Sequence, residues 1–278
     1  MKFAFKSQVY DLSARTHIMG ILNVTPDSFS DGGRFFDLEQ AVDRGVELAQ
    51  QGADFLDIGG ESTRPGSDPV SEAEEIRRVV PVIERLNREV RIPLSIDTYK
   101  SDVARAALAA GACIVNDISG MTYDPLMIGT VSGSRATVVL MHILGTPKTM
   151  QLKPVYDDVV RDVFQFLERQ SALARENGIT QIMVDPGLGF GKELHHNVEL
   201  MKQLGTFARL GYPIVVGPSR KSFIGKILDL PVDQRLEGTA AAVTACILRG
   251  ANIVRVHDVK EMKRVAMVAD ALKPTEPA

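Results

Sequence analysis

The sequence predicts a (β/α)8 barrel, the TIM-barrel class of α/β fold, preceded by a short N-terminal β-hairpin. Three observations carry that expectation. Eight short apolar, β-rich runs alternate with segments of helical periodicity, which is the count of a closed barrel. The chain has 278 residues and is 45% hydrophobic, enough for one large core. Polar residues that could carry chemistry follow nearly every run, whereas an open doubly wound sheet would gather them at one switch point.

The elements follow in order. Residues 3–16 alternate, with Phe3, Phe5, Val9 and Leu12 at the apolar positions, and read as a hairpin or cap. The first barrel run, 18–22, breaks into a polar loop at 23–33. Such a loop is a poor way to build a core and a good way to place polar groups at the edge of one. The later runs are 55–58, 94–96, 113–115, 137–141, 182–184, 214–216 and 253–256, short apolar blocks suited to strands buried on both faces. Helical patterns fall at 38–51, 71–89, 101–110, 125–132, 155–177, 195–205, 235–249 and 259–272, and a further helix is expected to open at Ser219–Ser222. No low-complexity stretch or charge block splits the chain. Residues 1–278 therefore read as a single domain, with 3–16 as the hairpin and 274–278 as a frayed tail.

Bulk properties narrow the function. A net charge of −3 gives no support to general nucleic-acid or membrane-surface binding, so any anion must be met by local groups. Cys113 and Cys246 lie in apolar surroundings without His or Cys at metal spacing, and read as buried thiols in a reducing compartment. The first 17 residues alternate polar and apolar, unlike a signal peptide, and no run is long enough to span a bilayer. The expectation is a cytoplasmic enzyme or binding protein.

The run ends carry the site. In order they are Asn23; 59–64, ending in Glu61, Ser62, Thr63 and Arg64; Asp97; Asn116 and Asp117; His142; Asp185; Ser219, Arg220, Lys221 and Ser222; and Arg255, His257 and Asp258. A closed barrel brings these to one face, where barrel enzymes keep their chemistry. Singly, each has a plain alternative: Asp97 could cap the helix that starts near Ser101, and His142 could be structural. Arg64, Arg220, Lys221 and Arg255, with His257 nearby, form a cationic group that points to a phosphate or diphosphate. The helix start at Ser219–Ser222 offers free N–H groups to a carboxylate or phosphate. Asp97, Asn116 and Asp185 would match a flat heterocycle with an amino-amide edge; alternatively the acids pair with Lys221 and Arg255. The stretch 187–192 fits neither the dinucleotide fingerprint nor the Walker pattern. Its glycines would turn the backbone tightly and bring Phe190 over a ligand. Glu61 and His142 could ligate a metal but lack ligand spacing, and Asn23 beside an anionic substrate would suit Mg2+.

Seven ordered segments now join: 19–33, 57–66, 95–98, 115–118, 185–187, 219–222 and 255–258. On them the chain resembles the dihydropteroate synthases over nearly its whole length. The resemblance implies a homodimer that condenses 6-hydroxymethyl-7,8-dihydropterin diphosphate with 4-aminobenzoate, giving 7,8-dihydropteroate and diphosphate. It implies that Asp97, Asn116, Asp185 and Lys221 hold the pterin, with Ile118, Met141, Phe190 and Arg255 on its faces. Asn23 would contact Mg2+, and Asn23, Thr63, Arg64, Arg255 and His257 would surround the diphosphate. Phe29, Thr63, Pro65, Phe190, Lys221 and the Ser222 N–H would line the 4-aminobenzoate slot. The loops at 24–36 and 61–70 would close over the mouth. Asp31, Asp97 and Lys221 are the catalytic candidates, Asp31 and Asp97 stabilising a cationic pterin methylene, with no covalent intermediate and no strong general base. Residues 143 and 144 depart from the family pattern, which bears only on local pocket lining.

Three other readings compete. A methyltetrahydrofolate-dependent methyltransferase would share the acid and amide set but has no use for the cations at Ser219–Ser222 and Arg255–His257. A Schiff-base lyase would use Lys221. A non-catalytic pterin binder would have no need of a lid that excludes water.

Overall fold

A computed structural model describes residues 1–6, 8–25, 34–64 and 66–273, with the backbone alone described at 34–37. The expected tail, 274–278, lies outside the described residues. Eight parallel strands form the barrel: β3 (His17–Asn23), β4 (Phe55–Gly59), β5 (Leu94–Asp97), β6 (Ile114–Asp117), β7 (Thr137–Met141), β8 (Ile182–Asp185), β9 (Val215–Val216) and β10 (Ile253–Val256). Seven neighbouring pairs are joined in parallel register, and a bridge between Val184 and Ile214 joins β8 to β9 and closes the circle. The expected strand at 214–216 is continuous over Val215–Val216, with Ile214 held by its own bridge to Val184, and pairing does not extend to Pro213. Pro213 accepts from the Val184 N–H at 3.0 Å but has no N–H to return.

Helices cover the outside: α1 (Arg34–Gln50), α2 (Glu72–Glu89), α3 (Ser101–Ala110), α4 (Met127–Ser134), α5 (Val159–Glu176), α6 (Leu194–Lys202), α7 (Ser222–Leu228), α8 (Leu236–Leu248) and α9 (Val259–Ala271). Local sequence explains their limits. Ser71 caps α2 through the Glu74 N–H, and the helix then buries Val79, Val82, Ile83 and Leu86 on one face. Asp158 caps α5 through the N–H groups of Val160 and Arg161. The helix expected at 195–205 ends earlier, at Lys202, and a 3-10 turn at Leu204–Leu210 follows.

The N-terminal hairpin, β1 (Lys2–Phe5) and β2 (Gln8–Asp11), decides which end of the barrel can hold a site. Phe3, Phe5 and Leu12 pack on Met19, Phe55, Ile114, Val139, Met183, Val215 and Ile253, drawn from seven of the eight strands. The rings of Phe5 and Phe55 meet edge to face at 5.2 Å. This apolar plug fills the N-terminal end, with the buried His17 ring against Phe55 and Tyr10, and the acids at the strand ends lie at the other mouth.

Candidate active site

Strand register gathers the acids. Asp97 is the register partner of both Gly59 and Asn116, so all three positions share one rung and one orientation. Gly59 contributes no side chain, and a Cβ there would sit 3.7 Å from Asp97 Oδ2. Arg255 enters from β10. Its Nε is 2.5 Å from Asp57 Oδ2 and its Nη2 is 2.6 Å from Asp97 Oδ2. Asn116 Nδ2 donates to the same Asp57 oxygen at 2.9 Å. One guanidinium thus holds two buried carboxylates, and the second oxygen of each, Asp57 Oδ1 and Asp97 Oδ1, has no hydrogen-bond partner among the described residues.

Asp185 ends β8 and accepts the Gly187 N–H at 2.7 Å. The following turn keeps Gly187, Gly189 and Gly191 at positive φ, as the glycine spacing anticipated. A Cβ on Gly187 would run into the His142 carbonyl. The turn delivers Phe190, whose ring centre lies 3.9 Å below Lys221 Nζ, a cation-π contact. Ile118, Met141, Ile143, Met150 and Phe190 form an apolar cluster at the mouth, flanked by Tyr99 and Tyr123. This gives a slot with apolar walls and acceptors at its edge.

Beside the slot opens a cavity of about 610 Å³, lined among others by Asn23, Thr25, Thr63, Arg64, Asp97, Lys221, Ser222, Arg255 and His257. These residues come from five different strand ends, which is what barrel closure provides. Arg220, at φ 55°, occupies the left-handed region that disfavours a side chain. It is held there by Thr239, which accepts its N–H, by Arg235, which donates to its carbonyl, and by a bidentate pair with Asp258. The resulting bend turns Lys221 into the site and starts α7 at Ser222.

The charges are not those of isolated groups. Burial pushes Asp97 up to about 7, with Arg255 opposing and Asp57 reinforcing. Burial likewise raises Asp185 to about 6, against the Gly187 N–H, Lys221, Lys192 and Arg255. Burial and the nearby Arg255 pull Lys221 down to about 8, while Asp185 and Asp97 resist. Burial also works against the Arg255 charge, but Asp57 and Asp97 outweigh it and its pKa rises. His257 falls to about 3, through burial and then Arg255 and Arg220, and is neutral. Ser219 Oγ accepts the His257 backbone N–H at 3.2 Å and lies 2.9 Å from His257 Nδ1, so one hydroxyl holds both the backbone and the ring of this residue.

The expected residues divide accordingly. Asn23, Thr63, Arg64, Asp97, Lys221, Ser222, Arg255 and His257 meet at the cavity. Asn116, Ile118, Met141, Asp185 and Phe190 form the adjoining slot. Phe29, Asp31 and Pro65, and most of the 24–36 loop, lie outside the described residues. The cationic group is smaller than the sequence suggested. Arg220 is committed to Asp258 and Arg255 to two carboxylates, whereas Arg64 makes no ion pair among the described residues. Both alternatives for the acids coexist, since Asp97 pairs with Arg255 while its other oxygen stays unpartnered. Asp97 is not a helix cap, because Asp124 accepts the Ser101 N–H at 2.7 Å. Glu61 accepts from Tyr99 and pairs with Lys100, both at 2.6 Å, and His142 bonds Lys192, so neither faces a metal with the other. Asp57 was missed, although an acid inside the apolar run 55–58 was a visible signal. Ser219 and Arg235 were missed as supports of His257 and of the bend at Arg220.

Residues 19–257 match the family model for pterin binding enzymes. A dihydropteroate synthase from Synechocystis is 50% identical over 95% of this chain and 92% of its own. The crystal structure of the Yersinia pestis dihydropteroate synthase with a sulfonamide drug complex superposes with a TM-score of 0.92, at 42% identity over 98% of each chain. That of the Xanthomonas albilineans enzyme in complex with 7,8-dihydropteroate gives 0.88, at 41% identity over 98% of each chain.

Proposed function

The chain belongs to the pterin binding enzymes and, among them, to the dihydropteroate synthases, and from that premise we propose how its barrel mouth carries out their reaction. It is a transferase that condenses 6-hydroxymethyl-7,8-dihydropterin diphosphate with 4-aminobenzoate to give 7,8-dihydropteroate and diphosphate. The observation that carries the site assignment is the rung of buried acceptors, Asp97 and Asn116 with Asp185 nearby, beside an apolar slot and a cavity edged by Arg64, Arg255 and His257.

The flat pterin stacks with Ile118, Met141, Phe190 and Arg255 on its faces. Its amino and ring N–H groups donate to Asp185 and to the unpartnered Asp97 oxygen, and Asn116 and Lys221 complete the set. The diphosphate then falls among Asn23, Thr63, Arg64, Arg255 and His257. The C–O bond at the pterin methylene breaks, and its electron pair leaves on the diphosphate. The electron-rich ring delocalises the resulting cation, and Asp97, with Asp31 from outside the described residues, stabilises it electrostatically. The amine of 4-aminobenzoate supplies its lone pair to the methylene and loses a proton to diphosphate or water. Its carboxylate meets the free N–H of Ser222 at the start of α7, with Thr63, Phe29, Pro65, Lys221 and Phe190 around the ring.

Mg2+ fits this donor set. Mg2+ takes few protein oxygens and relies on substrate phosphate and water, and Asn23 offers an amide oxygen at the cavity rim beside the diphosphate position. When bound, the ion neutralises the leaving group. Residues 1–278 act as one pterin-binding domain, and the protein works as a cytoplasmic homodimer without nucleic-acid or membrane partners. No helix among the described residues is long and apolar enough to cross a membrane. The test is direct: enzyme, Mg2+, the pterin diphosphate and labelled 4-aminobenzoate should yield labelled dihydropteroate. Methyl transfer from methyltetrahydrofolate to a corrinoid, without that product, would overturn the reading.

A further inference from the structure

Lys192 is a buried cation to which the reaction above assigns no task. It is 3% exposed, and it forms no ion pair among the described residues. Its Nζ instead lies 3.0 Å from His142 Nδ1, 3.3 Å from the His142 carbonyl and 2.9 Å from the Phe190 carbonyl. Three acceptors match the three protons of an ammonium. A lysine buried among neutral acceptors is costly unless a charge nearby repays it. The nearby charge is Asp185: a Cβ on Gly187, whose N–H bonds that carboxylate, would sit 3.3 Å from Lys192 Nζ.

The surrounding turn is locked. Gln151 donates to the Gly189 carbonyl and Tyr156 to the Gly191 carbonyl, while Asn197 accepts the Gly189 N–H. Lys192 takes the Phe190 carbonyl and joins it to His142 at the end of β7. Both Lys221 and Lys192 act on Asp185 electrostatically, and Lys192 does so from within the turn that follows it.

We propose that Lys192 is a positioning residue for the pterin pocket, the hidden counter-charge that keeps Asp185 ionised to accept the heterocycle. The inference rests on the reading of that pocket as the pterin site. The charged and titratable groups that act on Asp185 are Lys192, Lys221 after β9 and Arg255 on β10, and Asp185 in turn acts on Cys246 of α8; Lys192 is influenced by Asp185 and Lys221, influences His196, and contacts His142. His142 is held neutral by burial and by Lys192 itself, so it accepts and does not compete for the proton. Burial brings Lys192 down to about 7 and Asp185 raises it in return, so the ammonium is still charged near pH 6, where Asp185 titrates, and its effect fades as pH rises above about 7.

The test compares the parent with Lys192→Gln, which keeps two donors and loses the charge. Calorimetry measures binding of 6-hydroxymethyl-7,8-dihydropterin from pH 6 to pH 9. The variant should bind about fivefold more weakly at pH 6, as an acid limb moved up by about one pH unit from about 6 requires, and should approach the parent at pH 9. A loss equal at every pH, or no loss, overturns the proposal. Failure of the parent to bind the pterin overturns the pocket reading, and this inference with it. Should Lys192→Gln not fold, 13C NMR of labelled lysines in the parent and in Asp185→Asn gives the answer. The Lys192 titration should move to lower pH in Asp185→Asn, and an unchanged midpoint overturns the proposal.

Discussion

Replacing Arg255 with Met strips two buried carboxylates of their counter-ion. Arg255 Nε and Nη2 lie 2.5 Å and 2.6 Å from Asp57 and Asp97, which are 0% and 8% exposed. Breaking a buried ion pair by removing one partner costs about 3–5 kcal/mol. Met fills much of the space of the lost stem, so little of that cost comes from a cavity. Proton uptake limits the penalty: neutralising one carboxyl of ordinary pKa 3.8 costs about 4 kcal/mol at pH 7 and under about 2 kcal/mol at pH 5. The sign follows from linkage. Asp97 is already raised to about 7 in the parent with Arg255 opposing, so loss of Arg255 raises it further; the variant's folded state then holds protons that the parent's has released, and the stability gap widens as pH rises. Urea unfolding should therefore show a loss of about 3–4 kcal/mol at pH 7.5 that shrinks to below about 2 kcal/mol at pH 5. Adding Asp57→Asn should restore part of the stability at pH 7.5, because one orphaned charge is gone. Activity should not return, and affinity for the pterin diphosphate should fall more than that for the free pterin alcohol. A stability loss that does not change with pH, together with equal weakening for both pterins, would refute the reasoning.

Four further outcomes are expected. Asp185→Asn should weaken pterin binding by about 10- to 100-fold, the worth of a charge-assisted hydrogen bond of about 1.5–3 kcal/mol; unchanged affinity by calorimetry would move the pterin elsewhere. In the parent, pterin binding should decline as pH falls through about 6, because Asp185 is raised to that value and must be ionised to accept; a flat profile from pH 5 to 8 would count against it. Gly187→Ala should fold poorly or lose pterin binding, since its φ of 71° and the His142 carbonyl leave no room for a methyl; normal stability in a thermal melt would contradict that packing. Chelating Mg2+, or Asn23→Ala, should suppress dihydropteroate formation while leaving pterin-alcohol binding intact, and equal loss of both would remove Asn23 from the diphosphate subsite.

Much of this molecule is legible from the chain because barrel elements are local. The eight runs reappear as β3 to β10, and the helices fall where the periodicity puts them, since apolar spacing and caps such as Ser71 and Asp158 act within a few residues. Shortfalls occur where a distant segment decides. The function of Asp57 was hidden because its partner lies 198 positions away.

The sequence by itself determined the order of elements, the polar strand ends and the family to which they correspond. Only the tertiary structure decided how their charges are spent. The cations looked alike in sequence, yet Arg220 is consumed by Asp258, Arg255 by Asp57 and Asp97, and Lys221 rests on Phe190. Lys192, hidden in a glycine-rich turn, acts on Asp185. The reason is physical. A charge's effect depends on its depth and its neighbours, and barrel closure sets both by bringing together residues far apart in the chain.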